Sequence, residues 1–132
     1  MSKKLFIIED DANILYGLRA KFSIGGFQVE IDMGVGGVEE ILNKIKSFNP
    51  DFIILDLMLP KVDGFSVLSG VKAENGLEKT PVLIFTNLSD EDSRARSKNL
   101  GADYYFIKND FIIDEFVKKV EKIISNRLKI KN

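Results

Sequence analysis

Phe52-Ile53-Ile54-Leu55-Asp56-Leu57-Met58-Leu59-Pro60 decides how this chain folds. Four consecutive apolar residues with isoleucines at their centre read as a strand buried on both faces, the kind found inside a parallel sheet. The run ends on a carboxylate, and Pro60 and Gly64 then bend the chain away. Toward the N-terminus, Leu5-Phe6-Ile7-Ile8 is a second such run, and it stops at Glu9-Asp10-Asp11. Toward the C-terminus, Val82-Leu83-Ile84-Phe85 is a third, and it stops at Thr86. Strands of this type separated by segments of helical spacing indicate repeated strand–helix units and a parallel sheet.

The patterning predicts strands over 4–9, 27–32, 51–55, 81–86 and 103–107. It predicts helices over 12–24, 37–47, 65–73, 90–101 and 111–127. The first helix carries Ile14, Leu15, Leu18 and Phe22 at helical spacing and ends at Gly25-Gly26. The fifth has a core stripe of Phe116, Val117, Val120, Ile123 and Ile124, with Asp110 placed to cap its start. The fourth, around Asp90 to Leu100, has almost no apolar face, which predicts a mobile helix or an exposed surface. The whole reads as one doubly wound α/β domain, a (βα)5 three-layer sandwich over residues 1–127, followed by a short basic tail at 128–132.

The composition suits a single soluble domain: 132 residues, 45% apolar, 30% charged and a formal charge of −1. That balance gives no bulk attraction to nucleic acid or membrane. Residues 114–132 do hold six Lys or Arg against three acids, which reads as a solvated helix face or a docking surface. The chain has no cysteine and no histidine, so disulfides, thiolate chemistry, histidine bases and histidine ligands are all excluded. No apolar stretch approaches the roughly 18 residues that span a bilayer. A reducing cytoplasm is the expected compartment.

In a doubly wound sheet the C-terminal strand ends lie side by side, which brings Glu9, Asp10, Asp56, Thr86 and Lys108 to one edge. Crowded carboxylates repel unless a cation joins them, and a few carboxylates plus water suit Mg²⁺. Asp56 can act as a nucleophile toward phosphorus, while Thr86 and Lys108 supply a hydroxyl and a fixed positive charge for phosphoryl oxygens. Each residue also has a plainer reading: Glu9 and Asp10 as a solvated loop, Asp56 as a helix cap, Thr86 as a strand-end threonine, Lys108 as a surface lysine.

Taken in order, these elements resemble the receiver domains of two-component response regulators over nearly the whole chain. The resemblance rests on Ile8-Glu9-Asp10-Asp11, on Asp56-Leu57-Met58-Leu59-Pro60 with Gly64, on Phe85-Thr86, and on Gly101-Ala102-Asp103-Tyr104-Tyr105-Phe106-Ile107-Lys108. It implies a CheY-like, flavodoxin-like sheet of order 2-1-3-4-5, with Asp56 as phosphoacceptor. It implies Mg²⁺ held by Asp10, Asp56 and the Met58 backbone carbonyl, with Glu9 acting through water. It implies Thr86 and Lys108 as phosphoryl-contacting groups and Tyr105 as a switching aromatic, a position that static packing explains equally well. The implied partners are a sensor histidine kinase or phosphotransfer protein, and a target or second copy met through the fourth helix, fifth strand and fifth helix. No direct contact with nucleic acid or membrane is implied. Such a domain assists its own phosphotransfer and dephosphorylation without being a conventional turnover enzyme.

Three departures stand out. Asn109 follows Lys108 where the family usually has proline, so a trans peptide is expected there. Asn87 stands where a smaller residue is usual, predicting a narrower entry to the pocket. Met58 and Leu88 place apolar groups beside Asp56, which predicts a long-lived phosphoryl group. Three rivals remain. A flavodoxin-like cofactor binder would need a phosphate-cradling loop where Glu9-Asp10-Asp11 stands. A Mg²⁺-dependent phosphohydrolase would want an acid at Met58. The third is the receiver portion of a longer DNA-binding regulator.

Overall fold

The computed structural model describes the backbone of residues 3–131 and the side chains of residues 3–127. Five strands alternate with five α-helices: β1 (Lys4–Ile8), α1 (Ala12–Ile24), β2 (Gln28–Asp32), α2 (Val38–Phe48), β3 (Phe52–Leu55), α3 (Gly64–Ala73), β4 (Val82–Thr86), α4 (Glu91–Asn99), β5 (Tyr104–Ile107) and α5 (Ile113–Lys131). The strands form one sheet of order β2-β1-β3-β4-β5, all pairs parallel, as expected.

Period-two alternation divides the central strands between two cores. Phe6, Ile8, Ile53, Leu55, Val82 and Ile84 face α2 and α3 on one side. Leu5, Ile7, Phe52, Ile54, Leu83 and Phe85 face α1 and α5 on the other, where the Phe85 and Phe116 rings stack at 3.7 Å. Burying both faces of β1, β3 and β4 is what the continuous apolar runs require.

Aspartate side chains start three of the helices. Asp11 accepts from the Asn13 and Ile14 amides, Asp63 from Phe65 and Asp90 from Ser93. The first correction concerns α5. Asp110 does not cap it, because Lys108–Asp110 form a 3-10 turn, Phe111 is extended, and the helix begins only at Ile113. The turn satisfies the Phe111 amide through the Lys108 carbonyl, which delays helix entry by one short segment. At its other end α5 runs on to Lys131, so helix occupies most of the stretch read as a tail; Asn132 lies outside the described residues. Strand β1 also stops at Ile8, one residue early, releasing Glu9 into the loop.

Helix α4 matches its sequence. Its one buried residue is Ser97, whose hydroxyl donates to the Arg94 carbonyl. Two arginines hold it instead of an apolar stripe: Arg94 lies over the Tyr105 ring at 4.7 Å and Arg96 over the Phe65 ring at 4.1 Å.

Candidate functional site

Register aligns the strand ends. Ile8 pairs with both Asp32 and Leu55, Leu55 with Ile84, and Thr86 with Ile107, so the residues that follow emerge at one edge. Glu9 and Asp56 are buried there, Thr86 is fully buried, and Asp10 is exposed.

Lys108 sits between the two buried carboxylates, its Nζ donating at 2.6 Å to Glu9 Oε1 and at 2.6 Å to Asp56 Oδ2. The remaining oxygens are also engaged: Glu9 Oε2 accepts from the Asp11 amide at 3.0 Å and Asp56 Oδ1 from the Met58 amide at 3.0 Å. Asp11 therefore turns away to cap α1 and leaves Asp10 as the outward-facing acid of the run. Burial pushes the Glu9 carboxyl up to about 7, against the lowering pull of its Lys108 hydrogen bond. Burial pulls the Lys108 ammonium down, but hydrogen bonds to Asp56 and Glu9 outweigh it and leave it above an ordinary lysine.

Glu9, Asp10 and Asp56 each offer a carboxylate oxygen within 4.8 Å of the others. Three hard oxygen donors so placed fit a divalent cation of the Mg²⁺ type. Of the residues the strand-end argument selected, Glu9, Asp10, Asp56 and Lys108 come together here, while Thr86 is buried at the end of the neighbouring strand.

Beyond the carboxylates, Thr86 Oγ1 accepts from the Leu88 amide at 3.4 Å, and the Tyr105 hydroxyl donates to the Leu88 carbonyl at 2.6 Å. Leu88 thus connects the hydroxyl at the site to the aromatic on β5. Asn87, expected to narrow the entry, is exposed, and its Oδ1 accepts from the Asn109 amide at 3.1 Å, tying the β4–α4 loop to the turn after Lys108. Among the described residues no peptide bond is cis, so the Lys108-Asn109 bond is trans as expected. Met58 is exposed and Leu88 half-buried.

A model of the response regulator receiver domain matches residues 5–121. The chain belongs to that family. Among curated relatives, a probable transcriptional regulator, ycf27, of Porphyridium aerugineum is 32% identical, over 94% of this chain and 52% of its own length. The transcriptional regulatory protein PrrA of Mycobacterium leprae is 29% identical, over 96% and 52%. This receiver domain therefore spans about half the length of those relatives. Among solved structures, the receiver domain of the Francisella response regulator 1452 is 28% identical with a TM-score of 0.79, covering 96% of this chain and 99% of that one. The chemotaxis response regulator CheY4 of Vibrio cholerae, 22% identical with a TM-score of 0.80 over 93% and 99%, shares the fold. No described helix is long and apolar enough to cross a membrane.

Proposed function

We propose that this receiver domain is switched by a phosphoryl group carried on Asp56. The observation that carries the reading is the placement of Asp56: its carboxylate lies within 4.8 Å of oxygens of Glu9 and Asp10 and touches Lys108. Asp10, Asp56 and the Met58 carbonyl would hold Mg²⁺, with Glu9 contributing through water. The ion, when bound, offsets negative charge that builds on the phosphoryl oxygens.

The chain's own groups do the rest. An Asp56 carboxylate oxygen bonds to phosphorus as the P–N bond of a donor phosphohistidine breaks, the electron pair returning to the imidazole nitrogen. Because this chain has no histidine, the donor is a kinase, a phosphotransfer protein or a small acyl phosphate. The phosphoryl group adds about −1.5 to −2 charges at pH 7. Lys108 then turns from the carboxylates to a phosphoryl oxygen, and the Thr86 hydroxyl donates to another. Drawing Thr86 inward releases its hold on the Leu88 amide, and Leu88 in turn carries the acceptor for Tyr105. The output surface is the α4-β5-α5 face, which would meet a partner or a second copy of the chain. The setting is the cytoplasm, and the domain is a switch that turns over its own phosphoryl group rather than an enzyme of general substrates.

A second reading concerns context. Because the relatives named as transcriptional regulators are about twice as long, we propose as the alternative that this domain is the receiver portion of a regulator that binds DNA through a segment outside the receiver.

Intact mass after incubation with acetyl phosphate and Mg²⁺ tests the chemistry. The parent protein should gain one phosphoryl unit and Asp56→Asn none. Labelling that survives in the variant would refute the assignment.

A further inference from the structure

Asp32 is a buried carboxylate, 6% exposed, at the end of β2, and the phosphoryl chemistry above makes no use of it. It belongs to the same sheet edge: its carbonyl accepts from the Glu9 amide at 3.0 Å. One carboxylate oxygen, Oδ1, accepts from the Gly34 amide at 2.7 Å, and the other, Oδ2, takes the Lys44 ammonium at 3.1 Å. The first bond closes an Asx turn, in which the side chain replaces a backbone acceptor and fixes the two residues that follow.

That turn has a specific neighbour. Gly34 is buried with φ +73, a conformation favouring glycine, and it lies flat against Leu59. A Cβ at position 34 would come within 2.9 Å of Leu59 Cδ2 and 3.2 Å of Leu59 Cβ. Leu59 directly follows Met58, whose amide donates to Asp56 and whose carbonyl is the proposed backbone ligand. The β2–α2 loop is therefore a wall behind the acceptor loop, and Asp32 sets the position of that wall.

We infer that Asp32 is a positioning residue for the Asp56 loop: by holding the Gly34 turn it seats Leu59 and so places the Met58 peptide at the metal-binding edge. The inference rests on the aspartyl-phosphate reading of Asp56. Its chemistry is local. Removing the acceptor frees the Gly34 turn, Leu59 loses its backing, and the Met58 carbonyl no longer points at a fixed place. Productive geometry at such sites is held within fractions of an ångström, so a loosened wall weakens cation binding before it unfolds the domain. Lys44 serves a different purpose, neutralising the buried charge from a largely exposed position.

The test measures the rate of acetyl phosphate labelling by intact mass across a Mg²⁺ titration, with thermal stability recorded for each variant. Asp32→Ala should raise the half-saturating Mg²⁺ concentration about tenfold, a shift of about 1.4 kcal/mol. Asp32→Asn keeps an oxygen for the Gly34 amide and should restore the parent titration, although it loses the Lys44 pair and some stability. Lys44→Met should likewise titrate as the parent does. Should Asp32→Ala fail to fold, Leu59→Ala removes the same contact from the other side and should show the same Mg²⁺ shift. Parent-like titration of both Asp32→Ala and Leu59→Ala overturns the inference, as does an Asp32→Asn variant that behaves like alanine. An unlabelled parent protein would instead overturn the aspartyl-phosphate reading, and this inference with it.

Discussion

Gly64 lies against Leu57 with no room for a side chain between them. A Cβ at position 64 would collide with the Leu57 Cα and stand 2.7 Å from the Asp56 and Leu57 carbonyl oxygens, and the Gly64 amide already donates to Leu57 at 3.2 Å. The obstacle is backbone, which cannot rotate aside as a side chain would. Gly64→Ala should therefore lower stability by about 1–3 kcal/mol. It should also slow labelling of Asp56, because the displaced segment carries the acceptor. Denaturant unfolding and phosphodonor labelling check the two effects separately; a variant as stable and as readily labelled as the parent would contradict this.

Lys108 bonds two buried carboxylates at once. Removing it leaves Glu9 and Asp56 facing each other without a cation, a situation that costs about 3–5 kcal/mol when one partner of a buried pair is deleted. Lys108→Met should melt well below the parent protein without metal, and Mg²⁺ should recover most of the difference by taking the ammonium's place. The measurement is a pair of thermal melts for each protein, with and without Mg²⁺. A variant that Mg²⁺ does not rescue would argue against a shared cation site.

Glu9 makes the site sensitive to pH. Its carboxyl titrates near 7 when folded, pushed up chiefly by burial, against an ordinary value of 4.5. Between those values the folded state binds more protons than the unfolded one. The Glu9 contribution to metal-free stability is thus fully present below about 4.5 and lost as pH rises through about 7. Glu9→Gln should flatten that slope. Cation binding runs the other way, because it needs the carboxylate: Mg²⁺ affinity should fall, by up to about tenfold per pH unit, as pH drops below the folded value. Titrations at pH 6 and pH 8 measure this, and Glu9→Gln should bind weakly at both.

Met58, whose amide donates to Asp56, and Leu88, which follows Thr86 on the next loop, carry apolar side chains that cannot themselves orient a hydrolytic water. The phosphoryl group should accordingly decay slowly, and Met58→Asn should shorten its half-life several-fold while leaving the rate of labelling little changed. Loss of labelled mass over time, after removal of the donor, reads this directly. Equal lifetimes for the two proteins would place control of hydrolysis elsewhere.

The parts of the fold that sequence made plain are those where one physical demand acts alone. Ile53, Ile54, Leu83 and Ile84 have to be buried on both faces, so their strands, and the acids at their ends, could be placed without a structure. Glu9, Asp10, Asp56, Thr86 and Lys108 followed from the strand ends, and the structure brings four of them together, with Thr86 buried at the end of β4. What sequence hid were choices between two local solutions. Asp110 has the chemistry of a helix cap, yet a 3-10 turn takes it and α5 starts later. The partner of Asn87, the Asn109 amide, is 22 residues away and carries no signature. Asp32 ended an alternating strand and gave no sign that its side chain would fold back onto Gly34.

Helix α4 is fastened by guanidinium groups resting on rings, not by hydrocarbon interlocked with hydrocarbon. Planar groups in contact can slide over one another, whereas interdigitated side chains must separate before they move. Small changes in charge a few residues away can therefore become visible displacements on the exterior.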